Sequence, residues 1–412
     1  MTRIARRTFI KTAAAGIMGP RVVMAQSPDF VVVGAGAFGA WTALHLRELG
    51  HRVALVDAYG PGNSRASSGG ETRQIRVGYG DQELYSRWVL KAFDLWRARE
   101  EEFGQRLLFE TGRLQLAAEW SDSLKATQRV LEKLGVGCEV VSTEELEKRY
   151  PQMRPEGVSF ALFEPSAAVL RARFALQRVA EAFQKKGGQL ILGRVEPPRV
   201  SGARLESIRL TNATSLSAAT YVFACGPWLP QMFPETMKGK LFVPRRDVFF
   251  FGTPPGDDRF SYPNLPNYSE SAYYGFPSID GRGFKVCPVG EMTPFDPDRD
   301  ERVPSAYQLQ RARAYLAERF PALANQPLVE SRVCQLEMSV DEHFIIQKHP
   351  SWSNAWIAGG GSGHGFKHGP VLGDYIARRA SGADPEPELE SIFRIKSSSF
   401  DPSVYESGAR KH

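Results

Sequence analysis

The sequence predicts an α/β fold built around a parallel sheet, and three successive segments predict it. Asp29-Phe30-Val31-Val32-Val33 is a short apolar run rich in β-branched residues, the composition of a strand buried on both faces. It runs into Gly34-Ala35-Gly36-Ala37-Phe38-Gly39, after which residues 40–49 have helical composition and Gly50 stops them. Residues 51–56 repeat the strand pattern and end on Asp57.

Each part of this unit has a physical job. Gly34 permits the tight turn, Gly36 lets a pyrophosphate approach the backbone, and Gly39 lets helix and strand pack closely. The free N–H groups and dipole of the helix N-terminus, around Ala37 and Phe38, favour a phosphate. Asp57 stands 23 residues after Gly34, where a carboxylate accepts from ribose hydroxyls and disfavours a 2′-phosphate. The segment therefore predicts a Rossmann-like dinucleotide site, which NAD and FAD fit equally.

Composition excludes other classes. The 412 residues suggest two or three domains, and 42% hydrophobic with 24% charged residues is an ordinary globular balance. The net charge of +6 points to nucleic acid only until it is located. Arg3, Arg6, Arg7, Lys11 and Arg21 carry five of those charges within residues 1–25, so the body is nearly neutral and offers no footprint for a phosphate backbone. Cys138, Cys225, Cys287 and Cys334 are 47 to 87 residues apart without a Cys-x-x-Cys, so no metal site is expected.

Residues 1–25 have their own meaning. Arg6-Arg7 precede Thr8-Phe9-Ile10-Lys11 and a weakly apolar, small-residue stretch, and Val23-Met24-Ala25 offers a cleavage site before Gln26. The segment resembles a bacterial twin-arginine signal, which predicts passage through the Tat translocon to the periplasm.

Beyond Asp57 the chain departs from a simple NAD fold. A Ser/Gly-rich loop containing Ser68 leads into Gly69-Gly70-Glu71-Thr72-Arg73-Gln74-Ile75-Arg76, and much later Trp356-Ile357-Ala358 precedes Gly359-Gly360-Gly361-Ser362-Gly363-His364-Gly365-Phe366-Lys367. Together with VVVGAGAFG, LVDAYGPG, YYGFPSIDGRGFK and CQLEMSVDEHFII, these segments span Phe30 to Gly373. In that order they resemble the D-amino acid oxidase superfamily of flavoproteins, and most of all its monomeric sarcosine oxidase and N-methyltryptophan oxidase branch.

The resemblance implies a Rossmann-like FAD-binding domain (28–84, 161–235 and 331–395) interleaved with a substrate domain on a mostly antiparallel sheet (85–160 and 236–330). Residues 396–412 would be a loose tail, residues 306–320 a surface helix, and the protein a monomer. FAD would be held by Gly34, Gly36, Ala37, Phe38, Gly39, Asp57, Ser68, Thr72, Arg73, Val195, Gly360, Gly363, Gly365 and Lys367. Cys334 matches the cysteine bonded covalently to the flavin 8α-methyl. Arg76 and Lys367 match the two cations that hold the substrate carboxylate, Arg73 lies near the flavin, and Lys285 matches the lysine that assists O2.

The departures matter equally. The branch's active-site histidines correspond to Gly69 and Val289 here, and its tyrosine two past the cysteine to Leu336. Polar groups around the amine are thus absent, which predicts a roomier, more apolar pocket for a bulkier N-alkyl or cyclic amino acid. The implied reaction is oxidation of a secondary amino acid to an imine, with O2 reduced to H2O2. Two alternatives stand beside it: an exported amine dehydrogenase using another acceptor, and a flavoprotein that binds amino acids without turnover.

Overall fold

In a computed structural model, residues 27–199 and 201–401 are described. The twin-arginine segment and residues 402–412 lie outside the described residues. The predicted strand, Phe30–Val33, is the centre of a six-stranded sheet. Its neighbours are Thr220–Phe223 and Val53–Asp57, with Gln189–Leu192 and Ala355–Gly359 beyond them, all parallel. Ile345–Lys348 closes one edge antiparallel.

Burial on both faces explains the unbroken apolar composition. Val32, Leu55 and Val222 point into one core with Trp41, Leu44, Leu372 and Ile376, while Val31, Val33, Val56 and Phe223 point into another with Leu229 and Phe233. The helix Ala37–Glu48 covers the first face beside Gly369–Ala380. It begins three residues earlier than its composition suggests, because Gly36 O already accepts from Ala40 N–H at 2.9 Å. Gly39 makes this possible: a Cβ there would lie 1.9 Å from Gly34 O. Gly34 itself has φ +103°, the left-handed region that favours glycine.

A second sheet has eight strands, in the order Leu328–Gln335, Arg245–Phe251, Phe284–Pro288, Tyr273–Phe276, Asn267–Glu270, Arg113–Ala117, Phe160–Glu164 and Glu139–Ser142. Every pair is antiparallel except Asn267–Glu270 with Arg113–Ala117. Two expected boundaries move. Leu328–Gln335 pairs along Arg245–Phe251, so this sheet runs past residue 331 and includes Cys334. Phe160–Glu164 likewise belongs here rather than beginning the dinucleotide segment. Each of these strands is followed by a short strand of a small separate sheet, Ala168–Arg171 and Met338–Ser339, before the chain reaches the six-stranded sheet.

A small third sheet of Thr72–Ile75, Ala168–Arg171 and Leu108–Phe109 joins the two regions. The helix Ala306–Arg319 is amphipathic, capped by Ser305 and burying Ala312, Tyr315 and Leu316. The first residues of the expected tail are docked: Phe400 stacks on Phe242 with ring centroids 5.0 Å apart, and Lys240 Nζ donates to Ser397 O at 2.7 Å.

Candidate active site and cofactor cavity

The Gly-rich turn opens onto a cavity of about 300 Å³ lined by Gly34, Gly36, Asp57, Ser68, Val195 and Glu337 among others. Ser68 Oγ accepts from Ala37 N–H at 3.1 Å, tying the later Ser/Gly loop to the helix N-terminus. Asp57 braces the same turn. Its Oδ2 accepts from Ala35 N–H at 2.7 Å, and its Oδ1 from the amides of Tyr59 and Gly60 at 2.8 Å. Burial raises the carboxyl pKa, and these amide donors oppose the shift.

The second Gly-rich segment closes on the first. Gly360 and Gly363 have φ +69° and +78°, and a Cβ on Gly365 would sit 2.9 Å from the Phe38 ring. Val195 does not continue the Gln189–Leu192 strand but pairs with Leu210 as a single bridge, and it lines the cavity. At that end Asp298 accepts from Arg194 at 3.0 Å and from Trp228 Nε1 at 3.1 Å, joining the loop between Phe284–Pro288 and the helix Ala306–Arg319 to the cavity rim. Space kept open by glycine, a helix N-terminus and a braced acid are what a dinucleotide requires.

Thr72–Ile75 carries the cavity toward two clusters of cations. In the first, Arg73 donates to Ser67 O at 2.5 Å and approaches Cys334 Sγ at 3.6 Å. Lys285, only 3% exposed, donates to Thr72 O at 3.2 Å and to Thr72 Oγ1 at 3.4 Å, with Nζ 4.2 Å from the centroid of Phe276. Burial and the neighbouring Arg73 push its pKa down to about 7. Thr72, Arg73, Lys285 and Cys334 thus come together from three distant parts of the chain.

In the second cluster Arg76 and Lys367 converge on one ring. Arg76 Cζ lies 4.6 Å and Lys367 Nζ 4.8 Å from the centroid of Tyr79. Lys367 is 5% exposed and donates to Tyr79 OH at 2.6 Å. Burial, then Arg76 and Arg113, hold its pKa well below the usual lysine value.

The sequence reading missed several buried polar groups here. Tyr79 OH bonds His368 Nε2 at 2.9 Å and His364 Nδ1 at 3.3 Å. Burial, with Lys367 nearby, holds His368 well below its normal pKa, so it is a neutral partner. Arg113 is buried beside Arg76, with its pKa pushed down to about 9, and donates to Ser269 Oγ at 2.8 Å. Glu164 accepts from Val77 and Gly78 N–H, fixing the bend after Arg76. The available signal was spacing: Tyr79 follows Arg76 by three residues, and His364 and His368 flank Lys367.

The substituted positions are accounted for sterically. Gly69 admits no side chain, since a Cβ would meet Asn63 O at 1.8 Å. Val289 is buried, and Leu336 packs against Gly363. Among the described residues no group of three or more His, Cys, Asp or Glu could hold a metal ion. Nor is any described helix long and apolar enough to cross a membrane.

The parallel sheet, the glycine-walled cavity and the buried cation clusters along the same chain segments define a dinucleotide-dependent oxidoreductase. The family model for FAD dependent oxidoreductases (DAO) matches residues 29–379, and the chain belongs to that family. It is therefore a flavoprotein whose cofactor is FAD. It is 30% identical over 380 residues to monomeric sarcosine oxidase of Bacillus sp., covering 89% of this chain and 95% of that protein. It is 26% identical over 375 residues to N-methyl-L-tryptophan oxidase of Yersinia pestis, covering 89% and 98%. Among solved structures, L-proline dehydrogenase from P. horikoshii superposes with a TM-score of 0.77 at 20% identity, over 93% of this chain and 99% of that one, a likeness of fold.

Proposed function

We propose that this flavoprotein oxidises a secondary amino acid, N-alkyl or cyclic, to an imine and passes the electrons to O2, releasing H2O2. The observation that carries the substrate class is the placement of Arg76 and Lys367 around Tyr79 from opposite ends of the chain. Arg76, Lys367 and the buried Arg113 share one buried carboxylate, Glu164, so the cluster keeps an excess of positive charge that the α-carboxylate of an amino acid offsets. Arg76 offers a directional fork and Lys367 a point charge. The relatives named for sarcosine and N-methyl-L-tryptophan both act on amino acids bearing an N-methyl group, which supports the same reading.

Bound FAD supplies the electron sink for the substrate C–H bond. The chain's residues do the rest. The turn Gly34–Gly39, with Ala37 and Phe38, and the loop residues Ser68 and Thr72 would hold the dinucleotide, and Gly360, Gly363 and Gly365 would hold its other side. Arg76 and Lys367 orient the carboxylate. Lys285 Nζ places a positive charge where oxygen gains electrons, and Arg73 steadies the Ser67–Cys334 side of the same site. With Gly69 and Val289 in place of histidines, the site lacks their polar groups, which favours an apolar N-substituent.

The test is anaerobic. Substrate candidates among N-methyl and cyclic amino acids should bleach the flavin absorbance, whereas the matching amines without a carboxylate should do so far more slowly. Failure of every amino acid to bleach it, with bleaching by neutral amines, would overturn the assignment. An oxygen electrode on the same preparation separates an oxidase from a dehydrogenase.

We further propose that Cys334 bonds the flavin covalently. Its Sγ sits 3.7 Å from Ser67 O and 3.6 Å from the Arg73 guanidinium, on the side of the cavity that Ser67 lines. Acid-precipitated protein should stay yellow, and Cys334→Ser should give a colourless pellet with the flavin in the supernatant. A colourless pellet from the unmodified chain would remove the linkage. The twin-arginine segment supports export to the periplasm by the Tat route, and the protein would act as a monomer.

A further inference from the structure

Glu337 lies three residues past Cys334 and faces the FAD cavity beside Phe38. It is 7% exposed. Its Oε1 accepts from Gly361 N–H at 3.2 Å, but its Oε2 is buried without a hydrogen-bond partner. The space around that oxygen is held open by backbone. A Cβ would come within 3.4 Å of Oε2 at Gly359 and 3.5 Å at Gly226, and one at Gly361 within 3.1 Å of Oε1. An orphaned buried carboxyl oxygen aimed into a ligand cavity calls for a partner on the ligand.

The surrounding charges decide the form it takes. No lysine or arginine pairs with Glu337 among the described residues. The titratable and charged side chains that line the same cavity are Asp57, Tyr59, Arg194, Glu196, Cys225 and Asp298, and Arg194 is paired with Asp298. Burial pushes the carboxyl up to about 7, against the opposing amides of Gly361 and Gly360. An ionised Glu337 would also add negative charge to a cavity that takes an anionic dinucleotide.

We propose that Glu337 is a cofactor-holding residue that enters the holoprotein as the neutral acid, its Oε2–H donating to an acceptor oxygen of bound FAD. This rests on FAD as the cofactor and on nothing about the substrate. The opposite arrangement, an ionised carboxylate accepting from a hydroxyl of FAD, reverses the proton linkage and is therefore distinguishable. When binding selects the protonated form, affinity is full at low pH and falls as pH rises through the carboxyl's titration.

The experiment uses the Cys334→Ser holoprotein, so that FAD is free to dissociate. Its dissociation constant is read from recovered flavin fluorescence on dilution, between about pH 6 and 8.5. The expected result is weakening as pH rises, by up to about tenfold per pH unit at the alkaline end. Glu337→Gln retains an N–H donor and cannot titrate, so with Cys334→Ser it should hold FAD with a flatter profile. Equal slopes for the Cys334→Ser protein with and without Glu337→Gln would overturn the proposal. So would a flat or inverted slope in the Cys334→Ser protein, a result that needs no variant at position 337 to fold. Flavin absorbance of the purified protein reports separately on whether FAD is bound at all.

Discussion

Lys285→Met should leave anaerobic reduction of the flavin by substrate nearly intact while slowing reoxidation by O2 about 10²–10³-fold, the usual effect of removing one preorganised charge or donor. Methionine has similar length and suits the site, which Phe276 and Tyr274 flank. Stopped-flow measurement of the two half-reactions checks this. Equal slowing of both would make Lys285 a structural or substrate-binding residue.

The buried amine gives this prediction a pH signature. Lys285 titrates near 7 in the folded chain because burial and Arg73 disfavour its charge. A lysine in the unfolded chain titrates at about 10.4, so between these values the unfolded state binds more protons and stability rises with pH. The lysine therefore costs stability at and below neutral pH. Thermal unfolding of Lys285→Met should show an unchanged or higher Tm at pH 6, and the charge-dependent part of reoxidation should fade in the unmodified protein as pH rises through the amine's titration.

Arg76→Ala or Lys367→Ala should raise the dissociation constant of an amino-acid substrate about 30-fold or more, since losing one charged partner of a desolvated pair costs about 2–5 kcal/mol. A carboxylate-free amine should bind the variants and the unmodified protein alike. Lys367 adds a second test. Burial and its cationic neighbours hold the free amine well below its normal pKa, and a bound carboxylate favours the charged form. Substrate binding should then take up protons, and affinity should fall as pH rises through the amine's titration. Because Lys367 also donates to Tyr79 OH, the variants must be compared by Tm as well. Equal losses for substrates with and without a carboxylate would assign both residues to bracing the Gly-rich turn.

Much of the dinucleotide half was legible because it depends on short-range constraints. Gly39 is required by its contact with Gly34 five residues earlier and Gly34 by its positive φ, although Ala224 O also crowds Gly34 from the end of a distant strand, and the buried strand Phe30–Val33 declares itself by composition. The cations Arg76, Lys285 and Lys367 were legible through the motifs that contain them. Their gathering into two clusters was not, because it depends on Thr72–Ile75 pairing with Ala168–Arg171 and on Phe284–Pro288 pairing with Arg245–Phe251 and Tyr273–Phe276.

The sequence alone determined the parallel sheet, the glycine turn and the acid at its second strand, since these follow from strand period, backbone sterics and helix termini. Only the tertiary structure decided where the second sheet ends, how Ala224 crowds Gly34, and which polar groups surround Lys367 and fill the cavity wall. Tyr79, His368, Arg113 and Glu337 look unremarkable in sequence. Each acquires its chemistry from burial among residues that lie far away along the chain, and desolvation is a property of the packed fold that no local pattern carries.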